Sequence, residues 1–300
     1  MKKILSFLLI SLIVLSTYAL SAETISPPSV SASSAIVMDI KTKEVLYEKN
    51  AHEIRNIASI TKIMTAIVAL EHGNLDDEVI ISNEASRKIG SSIYTREGQK
   101  YTLEDLLYGL MLRSGNDAAT AIAEHIANSE KGFAYLMNEK ANWIGMNNSS
   151  FQNPHGLDEE NHHSTAYDMA LLTAYAMSTN EDFRKIFGTK KYLSENVNYY
   201  WFNKNKLLMT NDYCIGGKTG FTKSAGRTLV TVAEHEGREI VVVTLNASND
   251  WNDHSVLYQY GFEKLKEIEH AEDELLNIPS FFDAYIDVLN RLNGVEKWSI

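Results

Sequence analysis

Residues 217–246 read GKTGFTKSAGRTLVTVAEHEGREIVVVTLN, and this stretch decides the fold. Three runs within it, 217–221, 228–234 and 239–246, have the composition of strands; the last two are rich in β-branched residues, which suit a pleated, half-buried surface. His235-Glu236-Gly237-Arg238 separates the last two runs and reads as a hairpin turn. Near the other end of the chain, 35–40 and 44–49 form a second hairpin around Asp39-Ile40-Lys41-Thr42-Lys43. Helical patterns lie between. At 59–72, Ile60, Ile63, Met64, Ile67, Val68 and Leu70 keep one apolar face, and Gly73 ends the run. Further helices are expected at 102–113, 118–126, 133–144, 165–177 and 253–265, with Thr102 and Asp105 resembling a capping box. Strands, then helices, then strands predict an α+β domain. Its antiparallel sheet, flanked by helices, is complete only if the N-terminal hairpin joins the late strands.

Composition narrows the function. The 300 residues include 28 Lys+Arg and 39 Asp+Glu, a formal charge of −11, with 44% hydrophobic residues. This is the balance of a globular enzyme. It argues against nucleic acid as a partner, which calls for a basic face. A single cysteine, Cys214, excludes an intramolecular disulfide framework and a cysteine-built metal site, and reads as a small core residue.

The ends of the chain differ from its middle. Residues 1–22 carry Lys2 and Lys3, then an apolar core, then the small residues Ala19, Ser21 and Ala22, which describes a secretory signal peptide. An uncleaved anchor is the alternative, because 4–22 is uncharged and just long enough to span a bilayer. Either way the protein is expected to work beyond the cytoplasmic membrane, secreted or associated with the cell wall. Residues 23–33, with Pro27-Pro28 and several serines, read as a linker. The folded domain is placed at 34–266. The tail, 267–300, holds eight acids and two bases, and Phe281, Phe282, Tyr285, Val288, Leu289 and Leu292 in it follow helical spacing. That amphipathic helix has two readings, a membrane-surface contact or packing against protein. Its acidity disfavours an anionic lipid surface.

Three short motifs carry chemistry. Ser59-Ile60-Thr61-Lys62 is the one place where Lys follows Ser by three, Ser114-Gly115-Asn116 follows the expected helix ending near Arg113, and Lys218-Thr219-Gly220 lies on an expected strand. On a helix, positions i and i+3 share a face, so Ser59 and Lys62 pair a nucleophile with a base. Lysine is a base only when neutral, and burial with a second cation, here Lys218, lowers its pKa. Taken singly, Ser59 could be a helix cap, Lys62 a solvated residue and Lys218 an edge-strand charge. The ordered set is the combination used by class A β-lactamases and penicillin-binding proteins.

The chain resembles the low-molecular-mass penicillin-binding proteins, serine-type D-alanyl-D-alanine carboxypeptidases of peptidase family S11. The resemblance runs from about residue 33 to 265. It rests on Ala58-Ser59-Ile60-Thr61-Lys62-Ile63-Met64-Thr65, Leu110-Met111-Leu112-Arg113-Ser114-Gly115-Asn116-Asp117-Ala118 and Asn153-Pro154-His155-Gly156-Leu157-Asp158. Ser164-Thr165-Ala166-Tyr167-Asp168-Met169-Ala170 and Gly217-Lys218-Thr219-Gly220 complete it. It implies a β-lactamase/transpeptidase-like fold with a helical subdomain. It implies removal of the terminal D-alanine from peptidoglycan stem pentapeptides through an acyl-enzyme on Ser59, with β-lactams as covalent inhibitors. Lys62 takes the serine proton and Ser114 relays one to the leaving amine. Asn116 holds Lys62 and the substrate amide. The Lys218-Thr219-Gly220-Phe221 segment binds substrate: Lys218 and Thr219 take the terminal carboxylate, and the backbone N–H groups of Ser59 and Phe221 make the oxyanion hole. No metal or organic cofactor is implied.

Two departures from the family pattern stand out. Many relatives carry a β-rich second domain, and the residues after 266 are expected to be too few for one. Phe221 stands where relatives often have His or Tyr. Cross-link endopeptidase activity would use the same site, and a non-catalytic β-lactam sensor would share the fold. A class A β-lactamase also needs Glu-x-x-Leu-Asn, which is missing between Ser114 and Lys218. There is no His-Glu-x-x-His, and His162-His163 read as a solvated loop rather than zinc ligands. Arg227 has two readings, carboxylate binding or a surface charge.

Overall fold

The computed structural model describes residues 25–277. The export signal and the apolar stretch of the tail helix lie outside the described residues. The elements are β1 Ser34–Asp39, β2 Val45–Lys49, α1 Lys62–His72, β3 Glu78–Ile80, α2 Asn83–Ser86, β4 Lys100–Thr102, α3 Leu103–Tyr108, α4 Asn116–Ala127, α5 Glu130–Ile144, α6 Ala166–Thr179, α7 Glu181–Gly188, β5 Lys191–Ser194, β6 Tyr199–Phe202, α8 Leu207–Thr210, β7 Cys214–Thr222, β8 Gly226–His235, β9 Arg238–Ala247 and α9 Asp250–Asn277. A 3₁₀ turn, Ala58–Thr61, precedes α1, and a π-helical turn, Gly109–Arg113, extends α3.

The main sheet has the order β2-β1-β9-β8-β7. β1 pairs antiparallel with β9, Val37 opposite Val242, so the N-terminal hairpin does join the late strands. β8 and β9 are joined through Glu236 and Gly237, both at positive φ, a two-residue turn whose twist suits a hairpin. β7 is left as an edge strand.

Both faces of the sheet are covered, which explains the near-continuous apolar run of β9. Ile36, Met38, Val230, Val232, Val241, Val243 and Leu245 pack with the central helices. Ala35, Val37, Leu229, Ala233, Ile240 and Val242 pack against Leu257, Tyr258, Phe262 and Leu265 of α9. α1 is buried from Lys62 to Ala69, the behaviour of a helix apolar nearly all round.

Some elements depart from the sequence-based expectation. The helix expected at 102–113 is α3 plus the π turn, capped by Thr102 Oγ1 accepting from Asp105 N–H at 3.1 Å. The β3–β4 pair, which encloses α2, and the β5–β6 hairpin are not among the expected elements. α9 is longer than expected at both ends, so position 267 falls inside a helix. Lys264–Glu267, Lys266–Glu236 and Arg238–Glu269 ion pairs accompany its polar continuation. The stretch read as a linker lies against α9. Asp253 accepts from Ser31 N–H, Ser31 Oγ and Ala32 N–H, and Val30 and Ala32 are buried. Among the described residues, no helix is long and apolar enough to cross a membrane.

Candidate active site

The site forms where the 3₁₀ turn before α1 meets edge strand β7. Ala58 has φ +51, a strained value for a residue with a side chain. Its carbonyl accepts from Thr61 Oγ1 at 2.8 Å. Thr61 Oγ1 is 2.8 Å from His162 Nε2, and His162 Nδ1 accepts from Gln152 N–H at 3.1 Å. That bond assigns the ring proton to Nε2, which donates to Thr61. His162 is therefore a buried brace for the turn that carries Ser59, not part of a solvated loop. Burial first, then the neighbouring histidines, lowers its pKa to about 4. Gly156, at φ +83, lies so close that a Cβ there would sit 2.0 Å from the Ala58 oxygen.

Lys62 is fully buried one turn after Ser59. Its Nζ is 3.2 Å from Ser59 Oγ, 2.8 Å from Asn116 Oδ1 and 2.5 Å from the His155 carbonyl oxygen. Burial, then the charges of Lys218 and Lys204, push Lys62 well below the usual lysine range, with Asp117 opposing. Asn116 is oriented by its other end: Nδ2 donates to the Ile89 carbonyl at 2.7 Å. Thr65 Oγ1 donates to the Pro154 carbonyl, and Gly156 N–H to Asn153 Oδ1, so the loop presenting the His155 carbonyl is tied down on both sides.

Ser114 ends the π turn in the left-handed region, φ +63, and is nearly buried. Lys218 reaches it from β7, donating to Ser114 Oγ at 3.0 Å and to the Thr219 carbonyl at 2.8 Å. Burial first, then Lys204, lowers Lys218 to about 7. Gly220 follows. A Cβ there would sit 2.4 Å from Thr228 Oγ1 and 2.9 Å from Ser59 N, so the absence of a side chain allows β7 to approach the nucleophile turn. Thr228 Oγ1 in turn donates to the Ile57 carbonyl at 2.9 Å. Thr219 is half-buried, and Phe221 is 67% exposed at the rim.

Contacts thus run from Ser59 to Lys62 and on to Asn116, from Lys218 to Ser114, and from Gly220 to Ser59, the residues being supplied by α1, α4, β7 and the turns before them. Arg227, opposite Phe221 on β8, pairs with Asp250 at 3.1 Å. Cys214 is buried, its thiol shifted up by burial, with Asn205 and the Gly216 carbonyl as partners. Several participants escaped the sequence reading. The His155 acceptor is a backbone oxygen, so no side-chain pattern announces it. Lys204 acts on both buried lysines from 14 residues before Lys218 and carries no motif. Asp117 fixes segment 92–95 by accepting from Ser92 Oγ, Ile93 N–H, Thr95 N–H and Thr95 Oγ1. Among the described residues, no cluster of His, Cys, Asp and Glu could hold a metal ion.

Residues 21–249 match the D-alanyl-D-alanine carboxypeptidase family, Peptidase S11. The chain is 38% identical over 262 residues to D-alanyl-D-alanine carboxypeptidase DacF of Bacillus subtilis, a match covering 83% of this chain and 67% of that protein. Against DacD of Escherichia coli, 33% identical over 74% of this chain, it spans 60% of the relative's length. The crystal structure of a D-alanyl-D-alanine carboxypeptidase from Mycobacterium tuberculosis superposes with a TM-score of 0.76 at 29% identity, covering 81% of this chain and 95% of that one. The chain belongs to the D-alanyl-D-alanine carboxypeptidase family, peptidase family S11.

Proposed function

We propose that this protein is a serine D-alanyl-D-alanine carboxypeptidase that removes the terminal D-alanine from peptidoglycan stem pentapeptides and is acylated by β-lactams at Ser59. The observation that carries this reading is the surroundings of Lys62. A neutral lysine amine has two N–H bonds and one lone pair. Asn116 Oδ1 and the His155 carbonyl are pure acceptors and take the two N–H bonds. The lone pair is left for the Ser59 hydroxyl at 3.2 Å. Burial and two nearby cations keep the amine neutral enough to act as a base.

The steps follow. Ser59 Oγ attacks the carbonyl between the two D-alanines while its proton passes to Lys62. The oxyanion faces the backbone N–H groups of Ser59 and Phe221, a pairing supported by the approach of Gly220 to Ser59 N. The C–N bond breaks as Ser114 gives its hydroxyl proton to the departing nitrogen and takes up the proton that Lys62 received from Ser59, which returns Lys62 to the neutral amine; Lys218 stands beside Ser114. Lys218 and Thr219 receive the terminal carboxylate, whose charge favours the protonated form of Lys218. Water, deprotonated by Lys62, then releases the acyl group and restores Ser59. Export by residues 1–22 would put this chemistry where the wall is built. A related penicillin-binding protein from Listeria monocytogenes, 27% identical with a TM-score of 0.73, has been crystallised in its ampicillin-bound form, which supports the β-lactam part of the reading.

The test is D-alanine release from a purified pentapeptide muropeptide by the wild type and by Ser59→Ala. Release by the first and none by the second is expected. Release by both, or by neither, would overturn the proposal.

A further inference from the structure

Behind the proposed base lies a charged group that the mechanism above does not use. Glu130, the first residue of α5, has a side chain only 20% exposed. Its Oε1 accepts from Thr120 Oγ1 at 2.5 Å and from Lys88 Nζ at 2.7 Å. His155 Nε2 stands 3.4 Å from the same oxygen, an electrostatic contact not aligned as a full hydrogen bond. Burial would raise this carboxyl, but His155, Lys88 and Thr120 hold it down to about 2. It is therefore an anion at any working pH.

Two of these partners lead to Lys62. His155 Nδ1 accepts from Leu157 N–H at 3.2 Å, which assigns the ring proton to Nε2, facing Glu130. The backbone carbonyl of that same residue takes one Lys62 N–H. Thr120 sits one helical turn after Asn116, its Oγ1 3.1 Å from the Asn116 carbonyl. Asn116 Oδ1 takes the other Lys62 N–H.

We infer that Glu130 is a positioning residue for Lys62: through His155 and Thr120 it holds in register the two oxygens that occupy the amine's N–H bonds and so aim its lone pair at Ser59. This rests on Lys62 being the base. The carboxylate comes from α5, His155 from the 153–157 loop and Thr120 from α4, so one buried charge ties together the three segments that frame the base. The charged neighbours are few. Lys62 is faced by Lys218, Lys204, Asp117 and His155, and Glu130 by Lys88 and His155, with Glu124 and Glu84 nearby.

The test is the rate of acylation by a fluorescent penicillin, measured across pH on the full chain, for wild type and Glu130→Gln. Losing the carboxylate removes a negative charge and loosens two acceptors, and both changes disfavour the ammonium form of Lys62. The acid limb of the profile should therefore move to lower pH. The plateau should fall at least about tenfold, because the lone pair is no longer aimed. A merely structural role would lower the rate without moving the limb. An unchanged profile, or a lower plateau with the limb in place, overturns the inference. If Glu130→Gln does not fold, Thr120→Val removes the shortest bond to the carboxylate but leaves its charge, so the plateau should fall while Thr120→Ser, which keeps the hydroxyl, restores it; an unchanged plateau in the valine variant, or no rescue by serine, overturns the inference. Absence of acylation in the wild type would sink the carboxypeptidase reading itself. A wild type that acylates alongside a Glu130→Gln variant with the same profile would sink only this inference.

Discussion

Lys218 should make the protein less stable near neutral pH than its fold allows, and Lys218→Met should expose that cost. The side chain is 1% exposed and its pKa is lowered to about 7, by burial first and then by Lys204. An unfolded chain keeps this proton until about pH 10.4. Between pH 7 and 9.5 the unfolded state therefore binds the extra proton, and stability rises with pH by up to about 1.4 kcal/mol per pH unit, roughly 3 kcal/mol over the window. Lys62, also shifted down by burial, has the same sign. The buried tyrosines work the other way above about pH 10, because Tyr192 and Tyr258 are shifted up by burial, so the window stops short of them. Methionine keeps most of the volume and carries no charge, at the loss of hydrogen bonds to Ser114 and the Thr219 carbonyl worth about 1 kcal/mol each. Urea denaturation of both proteins at several pH values reads the result. The variant should be the more stable near pH 7, and its advantage should shrink by roughly 3 kcal/mol by pH 9.5. A difference that stays flat with pH, or grows, would show that Lys218 is charged when folded and refute the argument.

Two further substitutions probe the supports of the site. Gly156→Ala places a Cβ 2.0 Å from the Ala58 oxygen at φ +83, so it should cost about 3 kcal/mol or more and slow acylation of Ser59, read by thermal melting and penicillin labelling. Melting and labelling like the wild type would mean that the loop does not brace the nucleophile turn. Asp117→Ala strips the acceptor from Ile93 and Thr95 N–H and should cost about 2–4 kcal/mol. Hydrogen exchange should show those two amides losing protection while the β8–β9 amides keep theirs; unchanged protection at Ile93 and Thr95 would count against the pinning.

Strands β8 and β9 were legible because they are buried on both faces and their β-branched runs are long. The pairing of 34–39 with 240–245 had to be inferred from fold logic, since nothing local in either segment names its partner. The β5–β6 hairpin was not legible. Its strands are four residues each, and only one face packs, with Trp201 and Ser194 buried while Tyr200 and Phe202 are exposed. The expected last helix, 253–265, ends where the apolar spacing fades; its continuation is accompanied by ion pairs and by Ile268, which packs against the core. His162 was misread because a doubled histidine in a polar stretch resembles a loop. Its burial depends on Thr61 and Gln152, one distant in sequence and the other presented from across the loop.

The motif spacing itself explains less chemistry than it suggests. Ser59 and Lys62 on one turn give a 3.2 Å contact, but an exposed lysine there would be an ammonium donating to the serine, which is the opposite of a base. What reverses the direction of that proton is remote: Asn116 from α4, the His155 carbonyl from a loop, and the cations of Lys218 and Lys204 from either side of α8. Each contributes something different. The oxygens fix where the amine's hydrogens point, while burial and the cations decide how many hydrogens it keeps. Orientation without burial and the cations would leave a well-aimed ammonium, and burial and the cations without orientation would leave a neutral amine whose lone pair turns freely. A sequence records the residues that meet, but the base exists only where both conditions are satisfied on the same nitrogen.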